Sequence, residues 1–199
     1  MPSKHPKDPL TNLSLKIRGC TLCKLSRTRK NAVAGEGSCS AKVMLVGEAP
    51  GRQEDLEGKP FVGYSGRILD SALSKAGIKR SDIFITNVVK CRPPNNRRPQ
   101  SNELIACMGH LERQISLVSP QIICILGNTA YRSLLGGKSI VADRGKIIEK
   151  GGKRYFLTVH PASIIYNRSL QSALENDLSI LAREIRRKPK RMNKAKIKR

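Results

Sequence analysis

Lys42-Val43-Met44-Leu45-Val46-Gly47-Glu48-Ala49-Pro50-Gly51 is the stretch on which the fold turns. Its apolar run reads as a first buried strand, Lys42 to Gly47. The strand feeds a loop over 48–63 that is rich in glycine and proline, where backbone can approach a ligand closely. Working outward, Asp82 to Val89 and Gln121 to Leu126 read as a second and a third strand. Ile68, Leu69, Ala72, Leu73 and Ala76 fit one face of a helix that Gly77 ends. Leu104, Met108, Leu111, Ile115 and Val118 form another helical stripe, and a short helix starts at Asn128. Lys146–Lys150 and Arg154–Val159 flank Gly151-Gly152, a hairpin signal. Leu170, Leu174, Leu178, Leu181 and Ile185 line a last helix, and Leu10, Leu13 and Ile17 a first one. Strands alternating with helices predict an α/β fold, a three-layer sandwich with a mainly parallel central sheet. Ligands bind such sheets beyond the carboxyl ends of the strands. Gly47-Glu48, Asn87 and His160 all fall at such ends.

The chain has 199 residues and a formal net charge of +23, from 38 Lys and Arg against 15 Asp and Glu. That length suits one core of ordinary size. The charge favours a polyanionic partner, because each neutralised phosphate releases condensed counterions. An acidic membrane surface would attract the same charge, but no apolar run reaches the roughly 18 residues of a spanning helix. No signal-peptide pattern opens the chain, so a cytoplasmic workplace, not secretion, is expected. The expected division is a loose N-terminus over 1–9, a single domain over 10–185 and a basic tail over 186–199. The tail carries nine cationic residues and no acidic one, which reads either as phosphate-seeking or as a solvated terminus.

Six cysteines without a secretion signal argue against a disulfide scaffold. Cys124, inside the run Ile122 to Leu126, reads as a buried small hydrophobe, and Cys39 as a free thiol in a Gly-Ser turn. The other four have ligand-like settings. Cys20 and Cys23 form a C-x2-C pair able to chelate one centre, and Cys91 and Cys107 can complete a four-thiolate shell. Zinc and a [4Fe–4S] cluster both accept four thiolates, and spacing does not separate them.

Three other features carry chemistry. The loop from Gly47 to Gly66 lacks the order of a phosphate-binding Walker loop, and it displays Phe61 and Tyr64. Phe61 there can stack on a base or pin the loop to the core. Asn87 can make a bidentate contact with a base edge or form a turn. Of three histidines, His5 falls in the loose terminus and His110 on a helix as a surface or packing residue. His160 ends a strand and is the one suited to electrostatic work.

Cys20-x2-Cys23, Gly47 to Gly51, Pro60-Phe61-Val62-Gly63, Thr86-Asn87, Lys90-Cys91-Arg92-Pro93-Pro94, Cys107 and His160-Pro161-Ala162 occur in an order that resembles the iron–sulfur uracil-DNA glycosylases of the family 4 type. The resemblance spans roughly 10–185. It implies a uracil-DNA glycosylase-like sheet flanked by helices, and hydrolysis of the bond between uracil and deoxyribose in DNA without strand cleavage. It also implies uracil-containing DNA as the partner and a [4Fe–4S] cluster at Cys20, Cys23, Cys91 and Cys107; a monomer with no membrane partner is expected beside it. Carried over by motif, Phe61 is the stacking platform and Asn87 the uracil reader. Gly47, Glu48 and Ala49 form the pocket wall. Glu54 is an acidic residue that orders water or crowds a thymine methyl, and His160 stabilises the departing anion. His160, Glu48 and Glu54 are thus the expected catalytic set. The loop from His160 through Ile164-Ile165 resembles one that enters the minor groove. Ala49 stands where glycosylases of another family place a water-orienting Asp, which leaves the general base unassigned. A broader deaminated-base glycosylase of the related iron–sulfur family is one alternative, although it usually has an apolar residue at the place of Glu48. A non-enzymatic metal-dependent DNA-binding module is the other.

Overall fold

The computed structural model describes residues 8–187, so the segment 1–7 and nearly all of the expected tail lie outside the described residues. In chain order the elements are α1 (Pro9–Arg18), β1 (Glu36–Gly37), β2 (Val43–Gly47), α2 (Arg52–Glu57), α3 (Tyr64–Lys75), β3 (Ile83–Asn87), α4 (Ser101–Val118), β4 (Ile122–Leu126), α5 (Asn128–Leu135), α6 (Ile140–Asp143), β5 (Ile147–Lys150), β6 (Lys153–Thr158), α7 (Ser163–Tyr166) and α8 (Leu170–Arg186). They form one six-stranded sheet in the order β1-β3-β2-β4-β6-β5. The four inner strands are parallel, and the edge strands β1 and β5 run antiparallel to their neighbours.

Every residue of β2, β3 and β4 is buried. Helices cover both faces, so the strands read as continuous apolar runs. Successive side chains serve opposite layers. Val43, Leu45, Ile83, Ile85, Cys124 and Phe156 pack with Leu69 and Leu73 of α3 and with Leu174, Leu178 and Leu181 of α8. Met44, Val46, Phe84, Ile123, Ile125 and Leu157 pack with Leu111, Ile115 and Val118 of α4 and with Ala130 of α5. A third, smaller cluster joins Leu13 and Ile17 of α1 to Val89, Cys91 and Cys107.

Two expected boundaries move. Pro9 is the first helical residue of α1 rather than part of a loose end. Its fixed φ suits that position, and Asp8 caps the turn by accepting the Thr11 N–H at 3.3 Å. At the other end, Arg186 completes α8, and Arg187 pairs with Glu184 at 2.6 Å. The loop expected over 48–63 contains α2, which lacks the Ser or Thr cap that would have marked its start. Among the described residues no helix is long and apolar enough to cross a membrane.

The order of strands fixes where a ligand can enter. From β2 the chain moves to β3 on one side and then crosses to β4 on the other. The switch point therefore lies at the carboxyl end of β2, where the Gly47–Gly51 loop begins.

Candidate active site and thiol pocket

Gly47 pairs with Asn87 at the last rung of β2 and β3. The ladder continues beyond the strands: Val88 and Val89 donate their N–H groups to the carbonyls of Gly47 and Glu48 at 2.9 and 3.0 Å. A Cβ on Gly47 would come within 2.7 Å of Phe61 Cζ and overlap Asn87 Oδ1. Glycine is needed there because two site side chains rest on its backbone. His160 follows β6, with its ring centroid 5.6 Å from that of Phe61 and the planes at 31°. Its Cβ lies against Gly127, which follows β4 with φ of 89°. The carboxyl ends of all four parallel strands thus bring Gly47, Phe61, Asn87 and His160 together.

Asn87 is 2% exposed, and among the described residues its Oδ1 has no hydrogen-bond partner. A buried acceptor left in that state costs about 1–3 kcal/mol, which a ligand donor can recover. Phe61 is itself buried in the core, with a positive φ of 51° that is rare outside glycine. Glu54 holds this strained turn. Its Oε1 accepts the N–H groups of Val62 and Gly63 at 3.0 and 2.8 Å, and its Oε2 accepts that of Gly51 at 3.0 Å. Expected as a pocket acid, Glu54 has both oxygens engaged in stapling the two ends of the loop. Glu48 is partly exposed, and its Oε2 accepts the hydroxyl of Thr129 on α5. Ala49 packs against the third core cluster.

His160 Nδ1 accepts the N–H of Ala162 at 3.1 Å, so the neutral ring carries its proton on Nε2. The residue keeps some surface in water, but the surrounding protein still pushes the pKa of its ring down to about 4, opposed by the Glu54 carboxylate. The ring is therefore a neutral donor at pH 7. Beyond it, the expected pair Ile164-Ile165 divides. Ile164 is buried in the core, whereas Ile165 and Tyr166 are 48% and 90% exposed. Sequence reasoning misses Tyr166, because no periodicity distinguishes an exposed aromatic at the end of one helical turn.

Cys20, Cys23, Cys91 and Cys107 line one pocket, together with Arg29 and His110. Cys20 and Cys23 follow α1, Cys91 follows β3, and Cys107 lies on α4. Arg29 Nη1 donates to Cys91 Sγ at 2.9 Å, and the Lys90 N–H donates to Cys107 Sγ at 3.3 Å. Arg29 Nη2 also bonds the carbonyls of Arg18 and Cys20, at 2.9 and 2.7 Å. Burial pushes the Cys91 thiol up to about 11, with Arg29 opposing, and pushes Cys107 up as well. Among the described residues no three His, Cys, Asp or Glu side chains already stand in a metal-binding arrangement. The donor set nonetheless suits a soft centre, because the pocket offers four thiols and no carboxylate, with N–H donors aimed at two sulfurs. Cys39 is exposed and Cys124 fully buried in the core, both as expected.

Residues 34–182 match the family model described as the uracil DNA glycosylase superfamily. The chain is 43% identical over 192 residues to a type-4 uracil-DNA glycosylase of Saccharolobus solfataricus, covering 92% of this chain and 89% of the relative. It is 44% identical over 160 residues to a type-4 uracil-DNA glycosylase of Thermotoga maritima, covering 79% and 83%. A type-5 uracil-DNA glycosylase of Pyrobaculum aerophilum is more distant, at 30% over 149 residues and 66% of each chain. With the site geometry and these matches in agreement, the chain belongs to the uracil DNA glycosylase superfamily, in its type-4 branch.

Proposed function

We propose that the protein removes uracil from DNA by hydrolysing its N-glycosidic bond, leaving an abasic site. The observation that carries this reading is the buried, unpartnered Oδ1 of Asn87 beside the Phe61 and His160 rings. Uracil offers an N3–H donor and an O4 acceptor, which match a side-chain carbonyl and amide. Cytosine offers the reverse at both positions, so an Asn held in one orientation would reject it. Reaching such a site requires the base to leave the stack, at a cost of about a few kcal/mol. The basic surface holds the phosphates, Phe61 carries the face of the extruded base, and Gly47, Glu48 and Ala49 wall the pocket.

Bond cleavage leaves negative charge on the uracil ring. The Nε2–H of neutral His160 donates to that charge, and a neutral ring avoids the larger cost of desolvating an imidazolium. Water then attacks the sugar. Between the two acids, Glu48 is the one that orients this water, because its Oε1 is uncommitted while Glu54 spends both oxygens on backbone N–H groups. Glu54 serves by fixing the turn that presents Phe61. Exposed Ile165 and Tyr166 supply the apolar surface that enters the minor groove.

Cys20, Cys23, Cys91 and Cys107 would hold a [4Fe–4S] cluster. When bound it supplies a covalent clasp between the segment after α1 and the segment joining β3 to α4. The deciding experiment is incubation with duplex oligonucleotides bearing one uracil, hypoxanthine or cytosine, followed by alkali. Alkali-labile breaks confined to the uracil strand are expected. Intact uracil strands would sink the proposal, and equal cleavage at hypoxanthine would favour a broader deaminated-base activity.

A further inference from the structure

Lys90 is a lysine that almost no water reaches, at 1% exposed, and among the described residues no carboxylate pairs with its amino group. Burial of such a group is costly unless every donor is used. Its Nζ donates to Thr86 Oγ1 at 2.7 Å, to the Asn87 main-chain carbonyl at 2.6 Å and to Gln114 Oε1 at 2.6 Å. Gln114 on α4 also accepts from the Thr86 hydroxyl at 3.1 Å and donates to the Ala34 carbonyl. The main chain of Lys90 is tied as well: its N–H donates to Cys107 Sγ and its carbonyl accepts the Val33 N–H at 2.7 Å. One residue therefore grips the end of β3, the middle of α4 and the edge of the thiol pocket.

We propose that Lys90 is a positioning residue that sets Asn87 for base reading by holding its main-chain carbonyl directly. The proposal rests on Asn87 being the reader. Asn87 is the last residue of β3, and past it Val88 and Val89 carry the pairing to Gly47 and Glu48 only as far as Lys90, where the chain leaves the sheet. The Lys90 bond holds the peptide plane after Asn87. With that plane fixed, the Cα–Cβ bond from which the amide reaches the base has a set origin and direction. Without it, that origin can shift, and the amide no longer meets the base edge at hydrogen-bonding distance.

The test compares Lys90→Met with Gln114→Met. The first removes the bond to Asn87, and the second removes another arm of the same network without touching it. The readouts are single-turnover excision at saturating uracil duplex, affinity for a duplex bearing 2′-fluoro-deoxyuridine, iron content, and the Asn87 side-chain amide signal in a 15N spectrum. For Lys90→Met, excision should fall about 10- to 100-fold, in keeping with small misplacements of a binding group. Affinity should hold within about twofold, because binding to phosphates dominates it, and the Asn87 amide signal should shift or broaden. Gln114→Met should retain most excision at matched stability. Equal losses in the two variants, or an unmoved Asn87 signal in Lys90→Met, would overturn the proposal. If Lys90→Met fails to fold, Lys90→Gln, which keeps two N–H donors of the three on a shorter side chain, takes the same readouts. Should the wild-type enzyme release no uracil, the proposed activity falls, and the Asn87 signal still decides the role of Lys90.

Discussion

His160 Nδ1 accepts the backbone N–H of Ala162 at 3.1 Å, and this bond fixes what the imidazole offers a substrate. The proton of the neutral ring is left on Nε2, facing away from its own loop. His160→Ala should lower single-turnover excision by about 100- to 1000-fold, as loss of one oriented donor does elsewhere. His160→Gln, which keeps a donor near the same place, should recover part of that loss. A substitution without effect on the rate at saturation would remove His160 from the chemistry.

The same residue gives a pH dependence whose sign is fixed. Its pKa is about 4 folded and 6.5 in the ordinary state. Between those values the unfolded chain binds the extra proton, so stability from this group is complete above pH 6.5 and declines as pH falls toward 4. Urea unfolding at pH 7 and pH 4.5 should show a larger acid loss in wild type than in His160→Gln, the common carboxylates cancelling in the comparison. Excision should show no step at pH 6.5. A step there would mean that the ring acts as a cation.

Glu54 and Glu48 separate in their responses. Glu54→Gln places an amide NH2 among three N–H donors, so it should cost on the order of 1–3 kcal/mol of stability and loosen the turn at Phe61. Glu48→Gln should leave the melting temperature nearly unchanged and slow excision at saturating DNA. Denaturant curves and single-turnover rates decide between them. A kinetic loss in Glu54→Gln without a stability loss would return Glu54 to the role of pocket acid.

What the sequence made legible follows from periodicity. The apolar runs at Val43–Val46 and Ile122–Leu126 and the stripes of α3, α4 and α8 are consequences of burial, so pattern alone located them. The placement of Gly47, Asn87 and His160 at strand ends came from the same reading. The engagement of Glu54 was not legible, because its partners are backbone N–H groups that carry no sequence signature. Nor was the division between buried Ile164 and exposed Tyr166, since a single helical turn is too short to show a period. Lys90 looked like one cation among 38 Lys and Arg, because nothing local marks a lysine that will be enclosed.

Cys91→Ser and Cys107→Ser should each lose iron by metal analysis and lose the broad visible absorption of a cluster. The segment after α1 would then be held by Arg29 and the small apolar cluster without the clasp, and proteolysis near Cys20 should accelerate. Cys39→Ser should change neither property. A full iron complement in either ligand variant would remove that cysteine from the set.

The last prediction concerns the charge beyond α8. Arg187 already pairs with Glu184, so the cut belongs after it, removing residues 188–199. That segment carries Lys188, Lys190, Arg191, Lys194, Lys196, Lys198 and Arg199 and no acidic residue. Cations without a base-reading partner act on phosphates, and phosphates are the same in damaged and undamaged DNA. Truncation should therefore weaken binding to both by similar factors. The plot of log affinity against log salt should become shallower by about 0.9 for each phosphate that the truncated protein no longer neutralises on duplex DNA. Excision at saturating DNA should change little, because the sheet and Glu54 hold Phe61, Asn87 and His160. Affinity titrations at several salt concentrations, paired with single-turnover rates, test both halves. An unchanged slope would make the segment a solvated end, and a collapse of the saturated rate would give it a part in base extrusion itself.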